Sequence, residues 1–583
     1  MNSTCRHPRR SLLLALVCLV VCPTIPPDQL FAKHQTRPNV ILVMTDDQGY
    51  GDLRCHGNRQ ISTPNLDQLH AQSVRLTDYH VDPTCSPTRA ALMTGRYSSR
   101  TGVWHTIMGR SLMRADEVTI ADLFAAAGYR TGIFGKWHLG DNFPLRPQDR
   151  GFQEVLIHGG GGVGQTPDFW GNNYFDDTYF LNGLPKRYEG YCTDVWFDAA
   201  LQFIEANRDR PFFAYIPTNA PHGPYLVDEK YSQPYRDLGI PSPRAEFYGM
   251  ITNIDENIGR LRAKLRELDI VDNTILVFTT DNGTAAGMRD PGGFNAGMRG
   301  SKGSQYDGGH RVPCFIHHPA GGLVGGRNLE QLTAHVDILP TLVDLCGIES
   351  ASVRLPLDGV SLAPLLKSGN EEKWPDRTLF VHSQRIEHPE KWRRSAVMTE
   401  RWRLIDGSKL YDIQADPGQK TDIAGEHRDI VTRMRAGYDR WWDGLTERFN
   451  EYVRLEIGSP LENPATLTCH DWHAPIAAVP WNQSHIRQDK AGNGFWAINV
   501  LQAGQYELTL SCRPAGFEQP LQAHTARAKI GEVEVQQSIE PDDGSATLLV
   551  ELSAGPARLQ TWLEGPDNTS RGAYYVEIAH TQR

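Results

Sequence analysis

The chain has 583 residues and a formal net charge of −10, with 40% hydrophobic and 22% charged residues. This length is several times that of an ordinary domain, so we expect one large domain with at least one appendage. The composition is that of a loop-rich globular protein and excludes a disordered chain. The acidic balance, without a long Lys/Arg run, predicts that neither nucleic acid nor an anionic membrane is a partner.

The N-terminal segment 1–32 has the pattern of a signal peptide. Three arginines within the first ten residues precede the apolar run 11–22, and a Pro-rich stretch leads from there to Ala32. An apolar run of about twelve residues is too short to cross a bilayer. We therefore predict a secreted or periplasmic protein with no transmembrane segment after signal removal; a buried N-terminal helix is the alternative.

Between residues 39 and 346, short and continuously apolar runs alternate with longer amphipathic segments. This alternation is typical of strands buried on both faces of a mostly parallel sheet, so we predict a doubly wound α/β domain with covering helices. Helices are predicted to open at Thr63-Pro64 and at Thr119, and a third is predicted over 248–268. In such a sheet the ligand lies beyond the carboxyl ends of the strands.

Four of the apolar runs end in charged or chelating residues: 40–44 before Asp46 and Asp47, 131–134 before Lys136 and His138, 212–216 before Asn219 and His222, and 275–279 before Asp281 and Asn282. One such ending is explained equally well by a turn or a helix cap, but four together predict a single polar site. Carboxylate and amide oxygens are hard ligands, so the two pairs that follow 40–44 and 275–279 suit Ca²⁺ or Mg²⁺.

Seven cysteines remain after signal removal: Cys55, Cys85, Cys192, Cys314, Cys346, Cys469 and Cys512. Their spacing includes no CxxC and no Cys/His pattern of a zinc site. In an oxidising compartment the odd number requires a different fate for one of them. Cys469 and Cys512 are candidates for a disulfide in the C-terminal region, although the sequence leaves the connectivity open.

The segment 83–96, PTCSPTRAALMTGR, is the most informative stretch of the chain. A Cys with Pro two residues later and Arg four residues later arises by chance in roughly a few per cent of chains of this length, so its continuation matters. The whole stretch resembles the signature of the type I sulfatases of the alkaline phosphatase superfamily, in which the Cys is oxidised to formylglycine. Pro87 predicts a helix whose first amides face Cys85 and favour anionic groups there.

The resemblance extends over residues 38–424 and implies an alkaline-phosphatase-like fold and one Ca²⁺ site. The implied ligands are Asp46, Asp47, Asp281 and Asn282, with Cys85, as formylglycine, adding an oxygen. Arg89 matches the arginine that steadies this centre. The remaining matches are Lys136 and His138 in the GKWH motif at 135–138, His222 in the PHGP motif at 221–224, and Lys302 in the RGSK motif at 299–302.

The resemblance also implies roles for these residues. Arg89, Lys136 and Lys302 would offset the charge of the sulfate, beside the metal ion, while a hydrated formylglycine attacks sulfur. Lys136, His222 and Lys302 would bind substrate. Asp281 is a candidate to deprotonate the attacking hydroxyl, His222 or Lys302 to protonate the leaving alcohol, and His138 to drive the collapse that releases sulfate.

Two further segments carry weaker signals. The Gly-rich and aromatic stretch 158–179 is a candidate sugar-binding loop, with tight packing as the equal alternative, and it lacks the context of a phosphate-binding loop. Trp104 and His105 follow the signature helix and either face substrate or serve a structural role.

The C-terminal part divides into two predicted pieces. We place the catalytic domain at 33–370, a small sulfatase subdomain with an antiparallel sheet and a helix at 371–454, and an accessory β-sandwich at 455–583. Short alternating runs separated by Gly, Pro and Asp predict the sandwich. Trp472, Trp481 and Trp496 are candidates for carbohydrate contact, although core packing is the more common fate of such side chains.

Together these observations predict an exported, calcium-dependent formylglycine sulfatase that acts on sulfate esters, with a sulfated carbohydrate favoured over a simple aryl alcohol. Its maturation would require a formylglycine-generating enzyme. Two alternatives remain open: a phosphate or phosphonate ester hydrolase of the same superfamily, and a sulfated-glycan-binding protein whose working part is 455–583.

Overall fold

The computed structural model describes residues 37–285, 287–288, 292–349, 356–367, 374–566 and 569–581. The predicted signal peptide lies outside these residues. None of the helices in the described ranges is long and apolar enough to cross a membrane.

The first twelve strands belong to the α/β region, four more to a small C-terminal sheet, and the last ten to a pair of further sheets. The α/β region contains β1 (Asn39–Thr45), β2 (Val74–Leu76), β3 (Tyr79–His80), β4 (Arg130–Lys136), β5 (Glu154–His158), β6 (Thr178–Leu181), β7 (Leu184–Arg187), β8 (Phe212–Pro217), β9 (Thr274–Thr280), β10 (Cys314–His317), β11 (Asn328–Leu329) and β12 (Thr333–Ala334). The small sheet contains β13 (Leu379–His382), β14 (Ser395–Met398), β15 (Trp402–Ile405) and β16 (Lys409–Asp412). The last group is β17 (Leu455–Ile457), β18 (Ala465–Thr468), β19 (Phe495–Val500), β20 (Gly504–Ser511), β21 (Thr525–Ile530), β22 (Val533–Ser538), β23 (Ser545–Leu552), β24 (Gly555–Glu564), β25 (Ser570–Arg571) and β26 (Tyr575–His580).

The helices are α1 (Pro64–Gln72), α2 (Cys85–Thr94), α3 (Ile120–Ala126), α4 (Cys192–Ala206), α5 (Glu229–Asp237), α6 (Arg244–Glu267), α7 (Asp307–His310), α8 (Ile338–Leu345), α9 (Ala363–Leu366), α10 (Arg428–Asp443) and α11 (Gln483–Arg487). The sequence places the starts of α1 and α3 correctly: Pro64 occupies the first position of α1, and Thr119 forms a capping box with Asp122 at α3. Helix α6 begins at Arg244, four residues before its predicted start at Tyr248.

The principal sheet has ten strands in the order β11-β2-β10-β9-β1-β8-β4-β5-β6-β7. The five central strands, β9 to β5 in that order, are all parallel, and Val40 of β1 lies opposite Phe213 of β8 and Ile275 of β9. The pairings of β10 and of β6 and β7 are antiparallel. The predicted mostly parallel α/β sheet is therefore confirmed, with antiparallel strands toward both edges.

The central strands are apolar along their whole length because both of their faces are covered. Val40, Leu42 and Met44 of β1 belong to one buried cluster, while Ile41 and Val43 belong to another on the opposite face. Every residue of β1, β8 and β9 is buried. Side chains within these strands thus serve packing, and chemistry is left to the residues just beyond the strand ends.

The small C-terminal sheet is antiparallel in the order β13-β14-β15-β16. It packs with α10 around a cluster that includes Leu404, Tyr438 and Trp442. Arg403 of β15 is fully buried and makes ion pairs with Asp78 at 2.8 Å and Asp307 at 3.3 Å, both in the α/β region. A buried charge network therefore joins this sheet to the α/β region.

Two sheets at the C-terminal end form the β-sandwich predicted from the alternating runs. Strands β17-β19-β24-β21-β22, with β25 beside β24, form one sheet, and β18-β26-β20-β23 form the other. Inward side chains of both sheets, such as Ile498 and Leu508, share a single buried cluster. The fold class is thus confirmed in all three of its parts.

The packing of the sandwich decides two points that the sequence left open. Trp472 and Trp496 are both 0% exposed and lie in the core, so neither side chain can reach a carbohydrate, and Trp481 is only partly exposed. Cys469 and Cys512 are free, buried thiols and do not form a disulfide. The two tryptophans considered for carbohydrate contact and the two cysteines considered for a disulfide are thus core residues of the sandwich.

The sandwich also packs directly on the α/β region. Ile107, Met108 and Leu112 belong to the same buried cluster as the sandwich core. The backbone N–H of Met108 donates to the carbonyl of His470 at 2.9 Å, and Thr166 N–H donates to Trp481 O at 3.1 Å. Two α/β segments, around residues 107 and 166, are therefore held by the sandwich.

Candidate active site

The strand ends of the principal sheet bring most of the predicted residues to one edge. Asp46 and Asp47 follow β1, Asp281 and Asn282 follow the neighbouring β9, and Lys136 is the last residue of β4. Because these strands are parallel, their carboxyl ends meet on the same side of the sheet. The continuous apolar runs and the direction of the strands account for this convergence.

Hydrogen bonds link Asp47 at this edge to both Asp281 and Asn282. Asn282 Nδ2 donates to Asp47 Oδ1 at 2.9 Å, and Asp47 N–H donates to Asp281 Oδ1 at 3.1 Å. Asp47 has a positive φ of 63°, which turns its backbone N–H toward Asp281. All four side chains are essentially excluded from solvent.

The donor set fits a divalent cation with a preference for oxygen ligands. Asp46 Oδ1 and Asn282 Oδ1 are buried and have no hydrogen-bond partner within the described part of the chain. Donor atoms of Asp46, Cys85 and Asp281 all lie within 4.8 Å of one another. Burial, followed by the charge of Asp281, raises the pKa of Asp46 well above its usual range, and a bound cation would relieve both effects.

Cys85 is the first residue of α2 and is 3% exposed. The N-cap residue Thr84 has an extended backbone and makes no side-chain capping hydrogen bond. As at any helix start, the first amides have no partner within the helix. Pro87 lies in the first turn, as predicted. All ten residues of α2 are buried, which fixes the position of Cys85 at the mouth of the acidic cluster.

Arg89 lies one turn further along α2 and connects the helix to the cluster. Its Nη2 contacts Asp281 Oδ2 at 2.7 Å, and its Nη1 donates to the carbonyl of Lys136 at 3.1 Å. Burial alone would lower the pKa of Arg89, but the Asp281 carboxylate more than offsets it and the pKa is raised. Arg89 therefore stays charged and locks the signature helix to strands β4 and β9.

Lys136 and Lys302 each pair with one of the adjacent aspartates. Lys136 Nζ lies 2.5 Å from Asp46 Oδ2, and Lys302 Nζ lies 2.6 Å from Asp47 Oδ1. Burial opposes charge on both partners of the second pair, yet their attraction prevails, so the pKa of Asp47 is lowered and that of Lys302 is raised. Lys302 is therefore a fixed cation at neutral pH.

His222 lies in the loop after β8, with its side chain 23% exposed. Its Nδ1 contacts Gly223 O at 2.7 Å, which places the proton of the neutral ring on Nδ1, and its Nε2 lies 3.8 Å from Asp47 Oδ2. Burial, followed by the charge of Lys302, lowers the pKa of His222 to about 4. Asn219 lies two residues after the end of β8. Its side-chain oxygen accepts from Trp196 Nε1 at 2.8 Å, so Asn219 serves packing.

His138 has a positive φ of 63° and is 4% exposed. Its Nε2 contacts the carbonyl of Thr106 at 2.9 Å, and its Nδ1 has no hydrogen-bond partner among the residues described. Burial, followed by the charges of Lys136 and His470, lowers its pKa well below the usual range. His138 is thus a neutral base with one fixed tautomer.

The sequence did not single out two histidines that surround these groups. His158 ends β5 fully buried, and burial lowers its pKa to about 3. The apolar run before His158 resembles the four runs that do end in site residues and could have indicated it. His470 comes from the sandwich, its ring centroid 6.3 Å from that of His138, and no sequence pattern connects the two.

Of the two weaker signals, the pair that follows the signature helix resolves toward packing. Trp104 and His105 are 2% and 0% exposed, so neither faces solvent or substrate. In the Gly-rich stretch, Asp168 accepts from the N–H groups of Gly159 at 3.1 Å and Gly164 at 2.9 Å. This stretch is a tightly bonded loop at the margin of the site.

The fold and this arrangement define a hydrolase with an alkaline-phosphatase-like core and a cationic pocket suited to an oxyanion. A family model described as Sulfatase matches residues 38–348, more than half of the chain, and one described as N-sulphoglucosamine sulphohydrolase, C-terminal, matches residues 301–438. The chain belongs to the sulfatase family and is a sulfuric ester hydrolase.

Curated relatives and solved structures agree with this assignment. Human arylsulfatase A is 32% identical over 414 residues, covering 65% of this chain and 77% of the relative. Human N-acetylgalactosamine-6-sulfatase is 32% identical over 370 residues, covering 59% and 68%. The crystal structure of Ps i-CgsB in complex with k-i-k-neocarrahexaose matches with a TM-score of 0.64 and 27% identity, covering 72% of this chain and 95% of that one.

Proposed function

We propose that the protein is an exported, calcium-dependent sulfatase that removes sulfate from carbohydrates with a formylglycine made from Cys85. The observation that carries this proposal is the position of Cys85 at the start of α2, with its sulfur within 4.8 Å of carboxylate oxygens of Asp46 and Asp281. A plain packing cysteine gains nothing from such a polar neighbourhood.

The residues around Cys85 fit both absent groups. Asp46, Asp47, Asp281 and Asn282 would hold the cation, since two of their oxygens are buried without a hydrogen-bond partner in the described ranges. When present, the formylglycine supplies the nucleophile and the calcium ion offsets the charge of the sulfate. Arg89 holds Asp281 from the other side, so the carboxylate keeps its orientation.

Lys136 and Lys302 would bind the sulfate oxygens. Their ammonium groups flank the acidic cluster, one against Asp46 and the other against Asp47, and both are buried or nearly so. A fixed cation in a site of low dielectric stabilises developing negative charge far more than it would in water. These two lysines thus supply most of the protein's own stabilisation of the transition state.

The hydrogen bonds divide the candidate proton-transfer roles. Lys302 carries a proton at Nζ, whereas the neutral His222 ring has its proton on Nδ1, committed to Gly223 O. We therefore assign protonation of the leaving alcohol to Lys302 and binding of the substrate to His222. His138 offers an unprotonated, buried Nδ1 and is assigned the base of the sulfate-release step.

Asp281 is a weaker candidate for the base that activates the nucleophile. Its Oδ1 accepts from Asp47 N–H at 3.1 Å, and its Oδ2 accepts from Arg89 Nη2 at 2.7 Å. Both oxygens of Asp281 already accept hydrogen bonds from these donors. We assign Asp281 to the metal site.

The carbohydrate substrate is supported by the relatives. One is named N-acetylgalactosamine-6-sulfatase, and Ps i-CgsB was solved in complex with k-i-k-neocarrahexaose. Export is supported by the N-terminal pattern of residues 1–32, and the maturation of Cys85 by a formylglycine-generating enzyme follows from the signature at 83–96. The accessory domain boundary at residue 455 is supported by β17, which opens the sandwich.

The test is release of inorganic sulfate from a panel of sulfated saccharides by protein co-produced with a formylglycine-generating enzyme. Mass spectrometry of the peptide 76–89 verifies the aldehyde, and Cys85→Ala is the matched control. Sulfate release by the wild type alone supports the proposal. Release of the alcohol from phosphonate or phosphate esters, without sulfate release, would replace it with the superfamily alternative.

A further inference from the structure

A cavity of about 520 Å³ lies where the sandwich meets the α/β region. We infer that this junction cavity binds uncharged sugar residues of the substrate chain, next to the sugar that carries the sulfate. The inference rests on the proposed carbohydrate substrate and extends it to a second binding site. A volume of this size is typical of sites for small organic ligands.

The floor of the junction cavity is the outer face of the sheet β18-β26-β20-β23. Thr466 of β18, Glu577 of β26 and Thr509 of β20 lie side by side across neighbouring strands and all line the cavity. Thr547 of β23 continues the same row beyond the cavity and is exposed to solvent. Side chains on one face of neighbouring strands form a continuous surface, so this row presents a strip of hydrogen-bonding groups.

A second row runs parallel to the first. It consists of Thr468, Tyr575, Ser511 and Ser545, which are register partners across the same four strands and also line the cavity. Thr468 is 8% exposed, and its Oγ1 has no hydrogen-bond partner in the part of the chain that the structure describes. A buried hydroxyl without a partner is costly, and a ligand hydroxyl in the cavity would satisfy it.

The opposite wall comes from the α/β region and from the loop after β20. Phe169 and Phe517 both line the cavity, with ring centroids 5.8 Å apart in an edge-on arrangement, and Phe517 is 37% exposed. Aromatic rings beside hydroxyl and carboxylate groups provide both the apolar and the polar contacts that the two sides of a sugar ring require. The cavity therefore matches a saccharide better than a purely apolar ligand.

The charge of the lining decides which kind of saccharide fits. Six carboxylate side chains line the cavity: Asp141, Asp168, Glu462, Asp471, Glu518 and Glu577. The lining has one basic side chain among the described residues, Arg146, and its guanidinium contacts Asp149 at 2.7 Å. A sulfate group would be repelled by this acidic lining, whereas the hydroxyls of an uncharged sugar can donate to Glu577 on the floor. Asp168 and Glu462 already accept from backbone N–H groups.

The junction cavity and the candidate active site share one edge of the principal sheet. Gly159, which lines the cavity, directly follows His158 at the end of β5. Asp141, also in the lining, accepts from Gly160 N–H at 3.0 Å, and the next residue, Gly161, packs against the His138 ring. A chain that places its sulfated residue at the cationic pocket thus has an acidic, hydroxyl-rich cavity within reach for its unsulfated neighbours.

The first experiment measures binding by calorimetry with the full chain carrying unmodified Cys85, so that it does not depend on sulfatase turnover. The probes are desulfated neocarrahexaose, cellohexaose and hexa-N-acetylchitohexaose, with sulfated neocarrahexaose for comparison. Thr509→Trp fills the cavity from its floor, and Thr547→Trp adds the same side chain to the same row outside it. We expect at least one uncharged hexasaccharide to bind, and Thr509→Trp to weaken that binding by about tenfold or more while Thr547→Trp does not.

The second experiment uses the matured enzyme and compares kcat/KM for an aryl sulfate with kcat/KM for a sulfated oligosaccharide that the wild type hydrolyses. Thr509→Trp is expected to raise KM for the oligosaccharide alone. If the matured wild type releases no sulfate but still binds an uncharged hexasaccharide, the proposed function is overturned and the sugar-binding role of the cavity is not. Absence of binding by all uncharged probes, equal effects of the two tryptophan variants, or tighter cavity binding of the sulfated probe would each overturn the inference.

Discussion

The packing of Gly161 against His138 gives a direct test of the role assigned to that histidine. A Cβ atom placed on Gly161 would lie 2.2 Å from Cε1 and 2.3 Å from Nε2 of the His138 ring. Carbon atoms in contact are about 3.5 to 4.0 Å apart, so in Gly161→Ala the ring must retreat by more than about 1 Å. The backbone at Gly161 does not adopt the left-handed conformation, so alanine itself is tolerated there.

The ring cannot move that far and keep its function. Its Nε2 is hydrogen-bonded to Thr106 O at 2.9 Å, and the ring of the sandwich residue His470 lies 6.3 Å away, measured between ring centroids. A misplacement of about 1 Å in a catalytic group costs on the order of 100-fold in rate. We therefore expect Gly161→Ala to lower kcat for sulfate release by about 100-fold, with the calcium site intact.

The matched control is the neighbouring glycine. A Cβ on Gly162 would meet only the flexible Gln165 side chain, with the nearest atom at 3.3 Å. Sulfate release should be followed under single-turnover and steady-state conditions for both variants, with thermal unfolding to confirm folding. A Gly161→Ala enzyme that turns over like Gly162→Ala would refute the assigned role of His138.

Three other predictions follow from the charges and donors described above. Burial lowers the pKa of His105 to about 3, from a usual value of 6.5. Between these two pH values the unfolded chain binds a proton that the folded chain does not. The free energy of unfolding therefore falls as the pH falls through this range. His105→Asn keeps an acceptor for the local N–H groups, and urea unfolding from pH 6.5 to 4.5 should then show a slope lower by about 1.4 kcal/mol per pH unit. Arg403→Met removes the Arg403 partner of the buried Asp78 and Asp307, and it should lower the free energy of unfolding in denaturant by about 3 to 5 kcal/mol. The control Arg401→Met removes an arginine that is 54% exposed in its ion pair and should cost under about 1 kcal/mol. Calcium at 100 times its Kd should stabilise the wild type by about 2.7 kcal/mol in thermal unfolding. Asn282→Ala removes a buried oxygen donor and should lose most of that stabilisation. Equal stabilisation of both proteins by calcium would contradict the metal site.

The sequence predicts those parts of the fold that depend on a local pattern of neighbouring residues. Strands β1, β8 and β9 are buried on both faces, so their apolar runs are continuous and their ends are easily located. Prolines and capping residues mark the starts of α1 and α3 for local steric and hydrogen-bonding reasons. The site residues that directly follow such strands are placed by the same signal.

The parts that the sequence does not predict depend on contacts between distant segments. Trp472 and Trp496 have the same composition signal as exposed sugar-binding tryptophans, and only the closure of the two sheets over them makes them core residues. The hydroxyl rows of the junction cavity exist through strand register, which pairs Thr466 of β18 with Glu577 more than 100 residues later. Likewise, His470 reaches His138 only because the sandwich docks on the α/β region.

The docking of the sandwich has a consequence for attempts to shorten the protein. Its core continues into Ile107 and Met108, and its His470 carbonyl holds Met108 N–H, two residues after the Thr106 carbonyl that orients His138. Cutting the chain at residue 454 would expose these apolar side chains to solvent. It would also free the segment that orients His138, the histidine proposed as the base of sulfate release. The β-sandwich thus cannot be deleted, or fused to another sulfatase, without redesigning the α/β segment around residue 107 on which it packs.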